Sequence, residues 1–529
     1  MFESKVKLDQ SVKEKTRIVI LSDTHITNHG YEFNRKVFDQ GIKQINKIKD
    51  VSLFLHLGDL TQFGVLQDYE YALDVFQNFK PLSEAPFLCL IGNHDAENVG
   101  YLLFEELIGE RYVKFETDHI YLIGVDSTKP DLAGGIIHHD TVDTLEERLR
   151  KPDRENKIKI VCFHHQLIPI PNTGKERSAI DDSGNVLKML INTETDLVLN
   201  GHRHISNLYE MNTQQKDMFI FNAGTFSCNK TRYRELFTYA IIDIQDNTLH
   251  FKVLPVINSN FKTEINREIT YYNLRKINPK EKPYCKFIQI ANTLISNSQQ
   301  EENKEIVDKA FDEINKIPDV DLIVHCGNLT KNSLEEEYKV AKKTLKSLKK
   351  PYIIVPGYSD MKPPAWEFWD KYIGNQNPIF ENDKIYFQGL NSTTTDSPVG
   401  FVGRKRLNQT IDTILKQSHQ KIIGTTFFHN AVPTPLSVWR TELSDSGEVL
   451  SQFARSQVDL ILNSTPSINF NTKIENSIFS NGGNLNKNHF YPSYLEILIF
   501  KDGLTVFKEH NLENDKISEI GKYELRILS

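Results

Sequence analysis

The sequence predicts two tandem α/β domains with largely parallel or mixed sheets, the second a degenerate copy of the first. Three observations carry that prediction. The chain has 529 residues, 39% of them hydrophobic, which at roughly 100–200 residues per domain allows two or three separate cores. Short apolar runs ending in Gly- or Asp-containing turns alternate with amphipathic segments. The chain also repeats itself over a long period.

The apolar runs RIVIL, SLFLHLG, PFLCLIG, IYLIGV, KIVCFHH and DLVLNG read as buried strands. Between the first two, Phe33, Val37, Phe38, Ile42 and Ile45 line one face of a helix. Tyr71, Leu73, Val75 and Phe76 suggest a second helix. Strand alternating with helix argues for an α/β domain, in which ligands gather where the carboxyl ends of strands open into loops.

The repeat is read from seven ordered matches. RIVILSDTHIT (17–27) pairs with KFIQIANTLIS (286–296), and INKIKDVSLFLHLGDLT (45–61) with INKIPDVDLIVHCGNLT (314–330), both at an offset of 269. With small gaps there follow PFLCLIGNHD (86–95) and PYIIVPGYSD (351–360), then FHHQLIPIP (163–171) and FFHNAVPTP (427–435). DDSGNVL (181–187) pairs with SDSGEVL (444–450), DLVLNGHRHIS (196–206) with DLILNSTPSIN (459–469), and FIFNAG (219–224) with SIFSNG (477–482). The expected domains are therefore 16–255 and 285–510, with a polar linker at 256–284 and a peripheral tail at 511–529. Residues 1–15 are also expected to be peripheral; TVFKEH and YELRIL could each add a strand.

Net charge is −7 and pI about 6.2, which argues against a general pull toward nucleic acid or anionic membrane. The charged N-terminus lacks the apolar stretch of a secretory signal, and no run reaches the roughly 18 apolar residues of a membrane helix. Cys89, Cys162, Cys228, Cys285 and Cys326 form no CxxC pair. Buried free thiols in a reducing, cytoplasmic setting are the expectation.

The chemistry-bearing residues sit just after strands. Asp23 and His25 follow RIVIL, Asp59 follows SLFLHLG, and Asn93, His94 and Asp95 follow PFLCLIG. His164 and His165 follow KIVCF; His202 and His204 follow DLVLN. Carboxylate, imidazole and amide oxygen together form a mixed ligand set suited to divalent Mn, Fe, Zn or Co. In an extended D-x-H or H-x-H, residues i and i+2 project to one side, so both ligands can reach one centre. Any one of these elements is weak evidence; five in order, each at a strand end, are strong.

D-x-H, G-D, G-N-H-D, H and G-H-x-H in this order resemble the calcineurin-like metallophosphoesterase superfamily. The SDTH start and the HH motif are similar to its cyclic-nucleotide and glycerophosphodiester phosphodiesterase branch. The resemblance implies an αββα sandwich of two mixed sheets with a dinuclear site at the strand ends. It implies Asp23, His25, Asp59 and His204 on one metal, and Asp59, Asn93, His164 and His202 on the other, with Asp59 bridging. It makes His94 the catalytic histidine. The branch's HHPP is here His164-His165-Gln166-Leu167, which alters the substrate rim and not the ligand set.

Two divalent ions against Asp23 and Asp59 leave a positive centre that attracts a phosphoester. A water bridging the ions would be acidified to a hydroxide nucleophile, and His94 would serve the leaving oxygen. Asp95 either orients His94 or holds a turn. Arg232, Arg234 and His165 are candidate substrate contacts, the arginines because a planar guanidinium fork suits phosphate. His56 and His325, matched across the repeat, read as strand packing. The expected activity is hydrolysis of a small phosphodiester, with a phosphomonoesterase, a nuclease or an interaction scaffold as alternatives. Nucleic acid enters only as a substrate, and no membrane partner is expected.

The second copy loses the ligands. Asp23 becomes Asn292, His25 becomes Leu294, Asp59 becomes Asn328, and Asn93-His94 becomes Tyr358-Ser359. His164 becomes Phe428, while His202 and His204 become Thr465 and Ser467. That copy is expected to bind no metal and to form an intramolecular pseudo-dimer with the first.

Overall fold

Period-two burial along the first strand sets the layering. In β1 (Thr16–Leu21), Ile18 and Ile20 pack toward one side while Val19 and Leu21 pack toward the other, the pattern of a strand buried on both faces. The structure, a computed structural model, describes residues 15–527, apart from 174–178, 233–234, 258–261, 298–301, 364, 396, 437–442, 466–467 and 488–490. The chain divides into two units, the main body of the first ending at Tyr271 and the second resuming at Tyr272.

In the first unit β1 is followed by α1 (Arg35–Ile45), β2 (Leu53–His56), α2 (Leu66–Val75), β3 (Phe87–Cys89), α3 (Gly100–Leu107), β4 (Val113–Glu116) and β5 (Ile120–Gly124). Then come α4 (His139–Leu149), β6 (Ile158–Cys162), α5 (Ser183–Asn192), β7 (Leu197–Asn200), β8 (Asn207–Asn212), β9 (Asp217–Asn222), β10 (Thr238–Gln245), β11 (Thr248–Pro255) and β12 (Thr263–Glu268). One sheet runs β12-β11-β10-β1-β2-β3 and the other β8-β9-β7-β6-β5-β4. Each is mixed: β1, β2 and β3 are parallel while β10 is antiparallel to β1, and β5, β6, β7 and β9 are parallel while β4 is antiparallel to β5.

The sheets share a core in which Ile18, Ile20, Leu53 and Leu55 meet Leu122, Ile160, Leu197 and Phe219. The outer face of the first sheet is covered by Val37, Phe38, Ile42 and Ile45 of α1 and Tyr69, Ala72 and Val75 of α2. Asn34 starts α1 by accepting a hydrogen bond from Val37 N at 3.1 Å. The α2 face differs from its sequence reading: Leu73 is 45% exposed, because a helix beginning at Leu66 turns Tyr69, Ala72 and Val75 inward on the i, i+3 spacing.

The second unit contains β13 (Cys285–Ile290), α6 (Glu302–Lys316), β14 (Leu322–His325), α7 (Glu335–Leu345), β15 (Tyr352–Ile354), α8 (Ala365–Tyr372), β16 (Ile379–Glu381), β17 (Ile385–Gly389), α9 (Arg404–Ile414), β18 (Ile422–Thr426) and α10 (Ser446–Ala454). It closes with β19 (Leu460–Asn463), β20 (Phe470–Ile474), β21 (Ser477–Asn481), β22 (Ser493–Ile499), β23 (Leu504–Asn511) and β24 (Ile517–Glu524). Its sheets run β24-β23-β22-β13-β14-β15 and β20-β21-β19-β18-β17-β16. Strand for strand this is the order of the first unit.

Two boundaries need correction. The stretch expected as linker, 256–284, contains β12, paired along β11 from Thr263 to Glu268. The expected tail, 511–529, contains β24, paired with β23. Both are edge strands with half-exposed alternation, so only Ile265 in one and Tyr523 with Ile520 in the other join a core. Residues 1–14 lie outside the described residues. Among the described residues, no helix is long and apolar enough to cross a membrane.

Candidate metal centre

The backbone after β1, β2 and β7 does something no strand does. Asp23, His25, Asp59, His202 and His204 all take positive φ, between 51° and 71°. Asp and His tolerate this left-handed region better than most residues, at a cost of about 1–2 kcal/mol each. The extended D-x-H expected from spacing is therefore not what forms. Asp23 N and His25 N instead donate to Gly58 O and Asp59 O, each at 3.0 Å, lacing the loop after β1 to the loop after β2. Glycine is required where the loops touch: a Cβ on Gly58 (φ 97°) would sit 2.5 Å from His164 Nδ1, and one on Gly92 would sit 2.2 Å from Asp59 Oδ1.

All seven expected ligands converge, in two groups that share Asp59. In the first, His25 Nε2 stands 3.1 Å from His204 Nε2, 3.5 Å from Asp59 Oδ2 and 4.0 Å from Asp23 Oδ1. His204 Nε2 is 3.3 Å from Asp23 Oδ1. In the second, His164 Nε2 lies 3.2 Å from both Asp59 Oδ2 and Asn93 Oδ1, and His202 Nδ1 lies 2.8 Å from Asn93 Oδ1. Asp23 also accepts from His202 N at 3.1 Å, tying the groups together.

The donor set fits divalent ions, and the hydrogen bonds say why. His25 Nδ1 donates to Gln62 Oε1, His204 Nδ1 to Lys230 O and His164 Nδ1 to Leu57 O, at 2.7–2.8 Å. Each ring thus spends its proton on an outer carbonyl and aims a bare Nε2 lone pair inward, the usual orientation of a ligating histidine. Two such lone pairs face each other at 3.1 Å across His25 and His204, an arrangement that calls for a cation. Among the described residues, neither Asp23 nor Asp59 pairs with a lysine or arginine; the ionic partners near them are histidines, and Ser22 Oγ donates to Asp23 Oδ2. In the metal-free chain protons take the cation's part. Burial opposes charge on His164 and His204, yet Asp59 lifts the first to about 9 and Asp23 the second to about 10. Burial holds His25 down at about 3.

The remaining expected residues fall in different places. His94 is part-exposed; its N donates to Asp59 Oδ1 at 2.9 Å and its Nδ1 to Gln62 O at 2.8 Å, with Glu97 Oε1 3.6 Å away. Its Nε2 is thereby left for the mouth of the site. Asp95 does not orient His94. It accepts from Leu60 N, Thr61 N, Thr61 Oγ1 and Gly92 N at 2.7–3.0 Å, clamping the Asp59 loop to the Asn93 loop. His165 is buried, its Nδ1 2.9 Å from Ser127 Oγ. Arg232 Nη1 reaches Thr173 O at 3.5 Å, and Arg234 lies outside the described residues. His56 ligates nothing: Nδ1 accepts from Gly58 N and Nε2 meets Thr24 Oγ1, bracing the turn.

Two residues at the site had no flag in the sequence. Gln62 sets the His25 ring, but a glutamine three positions after the G-D motif carries no pattern of its own. Cys228 offers its thiol beside His25 and His204; the one clue is that it sits in a loop, TFSC, and not in an apolar run.

The second unit repeats the loops with other side chains. Asn292, Leu294 and Asn328 take φ of 53°, 42° and 57°. Asn328 Nδ2 donates to Asn292 Oδ1 at 3.0 Å, and Asn292 Nδ2 to Ser464 Oγ at 3.1 Å, so neutral amides close on one another where carboxylates stand in the first unit. Asp360 accepts from Leu329 N, Thr330 N, Thr330 Oγ1 and Gly357 N as Asp95 does from its loops. His429 meets Ser392 Oγ at 2.8 Å, the counterpart of His165 with Ser127. Phe428 is buried, and Ser467 lies outside the described residues. Among the described residues, the groups able to hold a metal all lie in the first unit.

Residues 16–206 match the family model of the calcineurin-like phosphoesterases. That segment resembles a calcineurin-like phosphoesterase. The chain is 24% identical over 213 residues to a probable cyclic nucleotide phosphodiesterase of Xenorhabdus bovienii, covering 37% of this chain and 81% of that protein. It is 30% identical over 131 residues to a probable glycerophosphodiester phosphodiesterase of Arcobacter nitrofigilis, covering 23% of this chain and about half (48%) of that protein's length. Among solved structures, a dimetal phosphatase from Danio rerio aligns with a TM-score of 0.37 at 12% identity, over 49% of this chain and 99% of that one. The family match and the phosphodiesterase relatives support metal-dependent hydrolysis of a phosphoric ester.

Proposed function

We propose that the phosphoesterase region hydrolyses a small phosphodiester at a dinuclear centre. Asp23, His25, Asp59 and His204 hold one divalent ion, and Asp59, Asn93, His164 and His202 hold the other. The observation that carries this reading is the pair of donor clusters sharing Asp59, with Nε2 lone pairs of three histidines aimed inward. When bound, the two ions supply Lewis acidity, drawing in the phosphoryl group and acidifying nearby water.

The chain's own residues do the rest. Asp59 and Asp23 set the charge of the pocket, and the Asp95 clamp fixes the distance between the loops that carry Asp59 and Asn93. His94, its Nδ1 proton committed to Gln62 O, holds or releases a proton at Nε2 toward the leaving oxygen. Glu97 Oε1 stands 3.6 Å from His94 Nδ1, on the side of the ring away from Nε2. Diester preference is supported by the names of the two relatives.

The second unit reads as a tandem copy without metal and without hydrolysis, on the strength of its matching strand order, its left-handed loop positions and its amide-filled site. After chelation and Mn²⁺ reloading, hydrolysis of bis(p-nitrophenyl) phosphate should exceed that of p-nitrophenyl phosphate. The reverse preference would make it a monoesterase; inactivity on both with metal bound would sink the enzymatic reading.

A further inference from the structure

Cys228 differs from the other four cysteines in what surrounds it. Cys89, Cys162, Cys285 and Cys326 pack into apolar clusters. Cys228, only 1% exposed, brings its Sγ and one ring nitrogen each of His25 and His204 within 4.8 Å of one another.

The placement is enforced by the backbone. The loop after β9 is laced to the Asp23 loop: Phe226 N donates to Ser22 O at 2.9 Å, Thr225 Oγ1 to Asp23 O at 2.8 Å and Ser227 Oγ to Thr24 O at 3.0 Å. Cys228 N then donates to Thr225 Oγ1 at 2.9 Å. The thiol is therefore carried by the same lattice of hydrogen bonds that carries Asp23 and His25.

We propose that Cys228 is a further ligand, as thiolate, of the ion held by Asp23, His25, Asp59 and His204. The proposal rests on the reading of this site as a metal centre. Sulfur and imidazole nitrogen bound to one zinc-sized ion at ordinary bond lengths lie about 3.6 Å apart at a tetrahedral angle and about 4.4 Å apart when opposed, within the separation seen here. On binding, the S–H proton passes to solvent and a sulfur–metal bond replaces it. The soft ligand makes the two positions unequal: this one selects Zn, Fe or Co over Mn or Mg, while the Asn93–His164–His202 position keeps only nitrogen and oxygen donors.

Cobalt(II) reads the ligand directly. The full-length protein is stripped with chelator, titrated with Co²⁺ and followed by absorption and metal analysis, beside C228S, C228A and C162S. Wild type and C162S are expected to show a near-ultraviolet sulfur-to-cobalt charge-transfer band in addition to the visible ligand-field bands. C228S and C228A should lose the former, keep the latter, and bind Zn²⁺ at least about tenfold more weakly. Ligand-field bands in wild type with no charge-transfer band overturn the thiolate and leave the metal centre standing. A band that persists in both Cys228 variants overturns the assignment too. Failure of wild type to bind cobalt overturns both readings together.

Discussion

Replacing Asp59 with asparagine isolates charge from shape, because the second unit already carries that replacement. Asn328 Oδ1 accepts from Ser359 N at 2.9 Å, as Asp59 Oδ1 accepts from His94 N at 2.9 Å. The loop therefore tolerates the amide, and Asp59→Asn should fold with an unchanged circular dichroism spectrum. What it loses is one negative charge that faces His164 Nε2 at 3.2 Å and His25 Nε2 at 3.5 Å, and so faces both proposed ions. Removing one partner of a buried charge pair costs about 3–5 kcal/mol, which corresponds to a rise of about 10²–10⁴ in the metal dissociation constant. Calorimetric titration with Mn²⁺ or Zn²⁺ after chelation measures that constant, and metal analysis gives the stoichiometry. Wild type should retain about two ions per chain and the variant fewer than one. Equal stoichiometry and affinity in the two proteins would refute the bridging role.

Three further outcomes are expected. Gln62→Leu frees the His25 ring from its carbonyl partner and should weaken metal binding about 10–100-fold, read by the same titration; an unchanged constant would show the ring is fixed otherwise. Burial holds His325 and His429 at about 3, below an unfolded value of about 6.5, so both stay neutral in the fold. Unfolded chain takes up protons first as pH falls, and stability should drop by about 2 kcal/mol per histidine between pH 7 and 5; a flat denaturant midpoint over that range would contradict it. In Leu294→Asn, a residue that tolerates φ of 42° replaces one that does not, and melting should rise by the equivalent of about 1 kcal/mol; a fall would show that leucine packing outweighs the strain.

Much of the fold was legible in the sequence, and so was the clustering of the candidate ligands, because each group of them follows an apolar run that forms a strand. The strand order repeated from first unit to second was likewise foreshadowed by seven segment matches. Other features were hidden for physical reasons. The edge strands at 263–268 and 517–524 bury one face only thinly, so their alternation is polar and resembles a loop. Left-handed φ at Asp23 and His25 arises from hydrogen bonds to Gly58 and Asp59, a tertiary fact with no local signature. The roles of Asp95 and Cys228 depend on which loops lie side by side, and spacing along the chain does not report that.

Leu294 sits in a backbone conformation that suits histidine at the matching position of the first unit and suits leucine poorly. The loop holds this conformation around a side chain that fits it poorly. The second unit is in that sense an empty socket: at 292, 294 and 328 the main chain already bends as it does beneath Asp23, His25 and Asp59. Grafting those three side chains onto it would ask for new chemistry on an old frame, with no backbone to rebuild at those positions.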